Sequence, residues 1–313
     1  MYFPYFRGKQ FELITIRETA KLLARSRFIP IIEPVRESLS SLERTLDAIC
    51  DAGGKAVVIV NPYHGDLRES RAEISKLLKH GYLDSKAISA GILLRSDTKV
   101  KEAADCYTAH VEHDPTIVHA GFAAPKAFSE LISDNLGVAR NVFVEPYATS
   151  LYQRHFEGTA AADVLVRDGF NRQRNADYPD MERFSELHLT YKDLGMQGFG
   201  DFLIVGDSYS EGGGPAYAVA IHLTFINPDE ENVMYIYHFV SNTKDTPTDP
   251  AGKFAQALKK LVKRLDSGDS NILETEAVKE FRTLHEKRHF PGLGYVKKLS
   301  MKHHIETLSA YLG

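Results

Sequence analysis

Five short apolar runs recur through the first half of the chain at a near-constant interval. This rhythm constrains the fold more than any other feature. FIPIIEPV begins at Phe28, KAVVIVNP at Lys55, AISAGILL at Ala87, TIVHAGF at Thr116 and NVFVEPY at Asn141, so successive starts lie 27, 32, 29 and 25 residues apart. Val- and Ile-rich runs without polar alternation suit strands buried on both faces, the condition of a parallel sheet. The intervals between them carry helical patterns. Leu42, Leu46 and Ile49 share a face in one, and Ile74, Leu77 and Leu78 in another, while PKAFSELISDNLG opens on Pro and closes on Gly. Strand, helix and strand in units of about 30 residues make the βαβ pattern with its right-handed crossover.

Three runs end alike, on Glu33-Pro34, Asn61-Pro62 and Glu145-Pro146. Proline cannot donate to a ladder, so it stops the strand and holds the preceding residue extended. Each of these polar residues therefore falls at the C-terminal edge of the sheet, where ligands bind in closed (β/α) barrels and open doubly wound sheets alike. Neither a GxGxxG after the first run nor a GxxxxGK[ST] occurs, which disfavours the dinucleotide and P-loop versions of the open sheet. The expected class is α/β, a (β/α) TIM-barrel-like fold with Glu33, Asn61, Arg95, His119 and Glu145 near one rim.

The second half is less regular. DVLVRDGF reads as a strand followed by a long polar loop, MERFSELHLTYKDLG as a helix, and DFLIVGDSY as a strand ending in Asp207. AYAVAIHLTF and VMYIYHF flank the short polar INPDEEN, the signature of an antiparallel hairpin that breaks strict barrel repetition. AGKFAQALKKLVKRL is amphipathic through Phe254, Leu258, Leu261, Val262 and Leu265, and two more helices follow around Pro291-Gly292. The expected division is a barrel-like domain over 1–250 with C-terminal helices over 251–313 packed on it.

Composition excludes several classes. Lys+Arg of 38 against Asp+Glu of 42 gives a net charge of −4, which is no general nucleic-acid coat. Two cysteines, Cys50 and Cys106, cannot make a disulfide framework and read as buried small hydrophobes. No window approaches 18 uninterrupted apolar residues, and the start lacks a signal-peptide pattern, so no membrane span and a cytoplasmic location are expected.

Several groups are candidates for chemistry. Glu33 and Glu145, at the ends of buried strands, would form an acid/base pair; the alternative is that each pairs with an arginine such as Arg7 or Arg95. If the hairpin pairs about Asp229 or Glu230, His222 and His238 share a face, and Asp207 would complete a two-His, one-carboxylate set for a divalent metal. Arg7 and Lys9, with Arg167, Arg172 and Arg174, would form an anion-binding cluster at the mouth of the fold. HVEHD, over 110–114, reads as a solvated loop, and EGGGPAY as a mobile turn rather than a phosphate loop. The C-terminal Lys259, Lys260, Lys263, Arg264, Lys297, Lys298, Lys302, His303 and His304 make a basic region that would contact nucleic acid or an acidic partner.

The opening MYFPYFRGKQFELITIRE with FIPIIEPV, the block FGDFLIVGDSYSEGGGPAYAVAIHLTF and the DPAGKF segment resemble the family called "beta protein", found in bacteria and phages. The resemblance implies no established chemistry. What it implies is a setting: a component of a bacterial anti-phage or mobile-element defence system that binds a protein partner, such as a nuclease, or a phosphate-bearing ligand at the barrel mouth. The alternative is a hydrolase or phosphodiesterase, metal-dependent or not, acting through Glu33, Glu145, Asp207, His222 and His238, with Arg7, Lys9, Asn61, Arg95 and Arg167 holding the ligand.

Overall fold

The computed structural model describes residues 1–68, 71–133 and 138–313. The chain divides into two compact units: Met1–Asp168 with Leu187–Phe202, and Gly169–Glu186 with Leu203–Gly313. Among the described residues no helix is long and apolar enough to cross a membrane.

The first unit is a TIM-barrel-like α/β fold. Its strands are β1 (Tyr2–Phe6), β2 (Ile31–Ile32), β3 (Ala56–Ile59), β4 (Ile88–Arg95), β5 (Thr116–Ala120), β6 (Arg140–Val144) and β7 (Asp163–Val166). Between them run α1 (Gln10–Ser26), α2 (Ser40–Asp51), α3 (Ala72–Gly81), α4 (Val100–Ala109), α5 (Pro125–Ser133) and the short α6 (Ser150–Gln153). The next strand, β8 (Met181–Ser185), belongs to the second unit; α7 (Leu187–Thr190) and β9 (Gly198–Asp201) return to the first. Every barrel pairing is parallel, and β9 closes the ring by pairing with both β7 and β1.

The barrel interior is a layered apolar core of Phe3, Tyr5, Ile29, Ile31, Val57, Ile59, Leu93, Val118, Ala120, Val142, Val144, Val164, Val166 and Phe202. Because side chains alternate, each strand sends every second residue inward. One further inward step beyond Tyr5, Ile31, Ile59 and Leu93 reaches Arg7, Glu33, Asn61 and Arg95, so four consecutive strands crown the core with polar groups. His119, Glu145 and Arg167 are one residue out of that phase. His119 accordingly packs away from the interior, against Phe143, Tyr152 and Phe156.

Two sequence expectations are corrected here, and one strand is added. The opening segment is itself a barrel strand, β1. MERFS is a strand and not the start of a helix: its Met181, Phe184 and Leu187 spacing is overridden by antiparallel pairing with Val233–Val240. The strand expected over DFLIVGDSY is instead GFGD, because two glycines fit where bulk does not. A Cβ on Gly200 would stand 2.2 Å from the Phe3 carbonyl oxygen, and one on Gly198 2.6 Å from the Phe3 ring. The chain then turns at Leu203, which takes the left-handed conformation (φ 50°), and Asp207 lies beyond the strand end.

The second unit holds the expected hairpin, β10 (Ala220–Asn227) and β11 (Val233–Val240), with β8 added in the order β10-β11-β8, all antiparallel. Its helices are α8 (Pro250–Asp266), α9 (Glu276–Glu286) and α10 (Leu293–Leu312). Asp249 caps α8 by accepting from Gly252 N–H, and Thr275 caps α9 by accepting from Val278 N–H. Ile221, Leu223, Phe225, Tyr237 and Phe239 pack on Phe254, Leu258 and Leu261 of α8 and on Val278 and Phe281 of α9. α10 is buried nearly all round, Lys298, His303 and His304 included. Those three therefore add nothing to the basic surface expected of the C-terminal region.

Candidate functional site

At the C-terminal mouth of the barrel the polar crown is organised by Glu33, which is wholly buried. Its Oε2 accepts from Arg7 Nη1 at 2.5 Å and from the Tyr5 hydroxyl at 3.2 Å. Its Oε1 accepts from the Tyr63 and His64 N–H groups at 2.9 and 3.1 Å, and the His64 Nδ1 lies 3.0 Å away. Burial by itself would raise the Glu33 pKa; the His64 hydrogen bond, the Arg7 charge and the Tyr63 N–H overcome it and bring it down to about 2. A carboxylate so engaged is a fixed anion that positions its donors, and no proton donor at neutral pH.

Arg7 lies over the rings of Tyr5 and Phe202, with centroid distances of 4.8 and 5.1 Å. Asn61 extends the β3–β4 ladder with its side chain, donating from Nδ2 to the Leu93 carbonyl (2.9 Å) and accepting from Leu93 N–H (2.8 Å). Beside it opens a cleft of about 50 Å³ whose lining includes Asn61, Tyr63, Arg68, Arg71, Arg95 and Thr98 together with the carboxylates of Asp97 and Glu102. At about 10–15 Å³ per water, that is room for several waters or one tetrahedral oxyanion. Two guanidinium groups lie over the Tyr63 ring: Arg95 at 4.0 Å and Arg68 at 4.7 Å. Arg68 approaches Asp97 at 3.7 Å, and Arg71 pairs with Glu102. The half-buried Arg95 guanidinium has no hydrogen-bond or ion-pair partner among the described residues.

The other expected site residues fall elsewhere. Glu145 pairs with Arg167 at 2.5 Å, both a third or less exposed and both out of phase with the inward set, so Glu33 and Glu145 do not form one inward pair. Lys9 sits at the N-terminus of α1, where its carbonyl accepts from Leu13 N–H. Arg172 donates to the Ser208 carbonyl, and Arg174 pairs with Asp177 in the second unit. The expected solvated loop over 110–114 is a short turn in which His110 and His113 are buried.

In the second unit the hairpin register pairs His222 directly with His238, as expected, and their Nδ1 atoms lie 2.7 Å apart. Asp207 does not complete a metal set. Among the described residues no group of three His, Cys, Asp or Glu side chains forms one. The carboxylate at this pair is Glu182, whose Oε1 is 3.1 Å from His238 Nε2. Sequence reading missed it because its segment carries a helical spacing.

No protein-family model matches the chain, and no curated protein does. Among solved structures, tryptophan synthase from Mycobacterium tuberculosis is similar at 12% identity and a TM-score of 0.43, over 65% of this chain and 83% of that one. A second structure of the same enzyme gives 11% and 0.41 over the same shares. A morphinone reductase variant in complex with tetrahydroNAD gives 10% and 0.36, over 64% and 82%. At these values no chemistry passes from those enzymes to this chain.

Proposed function

We propose that the barrel mouth binds a phosphate-bearing ligand, with Arg95 as its principal anion donor. The observation that carries this reading is the Arg95 guanidinium: stacked on Tyr63, at the rim of a polar cleft, and without a counter-ion among the described residues. A guanidinium fork held by an aromatic face loses little freedom on binding and matches an oxyanion in two-pronged geometry. Arg68 and Arg71 add positive charge, offset by Asp97 and Glu102. Glu33 holds Arg7 and the Tyr63–His64 turn in place and takes no part as an acid. In the setting implied by the "beta protein" resemblance, ligand occupancy would inform a partner protein of a defence system, a nuclease being one such partner.

The test is calorimetric titration with inorganic pyrophosphate at two salt concentrations. Binding should weaken as salt rises, and Arg95→Ala should bind about 10- to 100-fold more weakly, the worth of a charged hydrogen bond. Equal binding by the parent and Arg95→Ala would refute the assignment.

A further inference from the structure

Three strands of the second unit bring a carboxylate and two imidazoles onto one face. His222 of β10 and His238 of β11 are direct cross-strand partners. Glu182 of β8 opposes Ile236, two residues from His238 and of the same phase, so it is the diagonal neighbour on that face. The contacts run in a line: Glu182 Oε1 to His238 Nε2 at 3.1 Å, then His238 Nδ1 to His222 Nδ1 at 2.7 Å.

Valence fixes where the protons sit. An ionised carboxylate only accepts, so His238 carries its proton on Nε2. Burial, first of all, holds His238 below its ordinary pKa despite the pull of Glu182, and burial, His238 and Lys297 hold His222 well below its own. With both rings neutral, His238 Nδ1 is the acceptor and His222 donates from Nδ1. The His222 Nε2 is then left with a lone pair. His222 is half-buried, and this nitrogen makes no hydrogen bond to a described residue.

Aromatic rings flank the line. Tyr178 stacks on His238 (4.5 Å, 21°) and meets His222 edge-on (4.8 Å, 65°), and Phe170 meets His222 edge-on at 5.1 Å.

We propose that Glu182, His238 and His222 form a proton-accepting relay whose His222 Nε2 is a general base for a hydroxyl or water bound at this face. An O–H bond of that group breaks, its electron pair stays on oxygen, and the proton forms a new bond to Nε2. The resulting His222 cation is stabilised by donating from Nδ1 to His238, which Glu182 holds through Nε2–H. The relay lies wholly in the second unit and is independent of the barrel-mouth reading.

The test uses the full chain labelled with ¹⁵N-histidine. Long-range ¹H–¹⁵N spectra at neutral pH should place the His222 proton on Nδ1 and the His238 proton on Nε2. Diethyl pyrocarbonate, mapped by mass spectrometry, should modify His222 in the parent protein, and Glu182→Gln should slow that reaction, because a neutral amide supports the relay less than a carboxylate does. The spectra of the parent protein decide the matter even if Glu182→Gln fails to fold. A His222 proton on Nε2, a His222 that is not modified or whose rate is unchanged in a folded Glu182→Gln, or stoichiometric zinc binding that requires both histidines would each overturn the proposal.

Discussion

Glu33→Gln isolates the contribution of the barrel-mouth anion. In the folded chain Glu33 titrates at about 2, against an ordinary value of 4.5. At about 1.4 kcal/mol per pH unit, that difference corresponds to about 3 kcal/mol of stability at neutral pH. An independent argument reaches the same size. Glutamine keeps the shape but removes the charge, leaving the buried Arg7 guanidinium without its counter-ion, and breaking one side of a buried pair costs about 3–5 kcal/mol. The sign follows from linkage. The folded pKa is depressed, so the stabilisation is complete above 4.5 and is lost as pH falls through that value towards 2. Urea unfolding followed by far-UV circular dichroism, at pH 7 and at steps between 5 and 2, should therefore show a gap between parent and variant of about 3 kcal/mol that narrows towards pH 2. A gap under about 1 kcal/mol at pH 7, or one that stays constant between pH 5 and 2, refutes the assignment of Glu33 as the anchored anion.

Two further predictions concern the barrel. Gly200→Ala, which would place a Cβ 2.2 Å from the Phe3 carbonyl oxygen between paired strands, should cost more than about 3 kcal/mol or prevent folding, while Gly213→Ala, with nothing within 4 Å, should leave thermal unfolding unchanged. His119 is buried and held neutral with its pKa lowered to about 3, chiefly by burial. The unfolded chain takes up that proton near pH 6.5 and the folded chain does not, so stability falls as pH drops from 6.5 towards 3; in His119→Leu the slope of unfolding free energy over that window should be shallower by about 1.4 kcal/mol per pH unit.

Much of the barrel was legible because βαβ spacing is a strong signal: the apolar runs beginning at Phe28, Lys55, Ala87, Thr116 and Asn141 cover β2 to β6 to within a residue at either end of the strands. The strands that escaped are those whose sequence does not look like a strand. β1 carries Pro4 and runs directly into the RGK segment, so it passes for a leader to α1. β9 is Gly-Phe-Gly-Asp: the close approach of β1 demands small residues, and small residues erase the apolar pattern by which a buried strand is recognised. β8 was hidden for a different reason. Only two of its residues are buried, so its sequence carries little alternation, and its conformation comes from pairing with β11.

The same physics explains why the sequence does not show which rim residues face the barrel interior. A strand buried on both faces is apolar at every position, so its sequence does not reveal which residues point inward. Glu33 and Glu145 each precede a proline at a strand end and look equivalent in the sequence, yet one lies two steps beyond inward Ile31 and the other one step beyond inward Val144. That single-residue difference in phase sends Glu33 to Arg7 and Glu145 to Arg167. It also explains how a chain with a net charge of −4 can present a cationic group at its mouth. Of the arginines near that rim, Arg7 is matched by Glu33, Arg68 by Asp97 and Arg71 by Glu102. Among the described residues Arg95 meets an aromatic face instead of a carboxylate, and in the proposed reading its positive charge is the one left for a ligand.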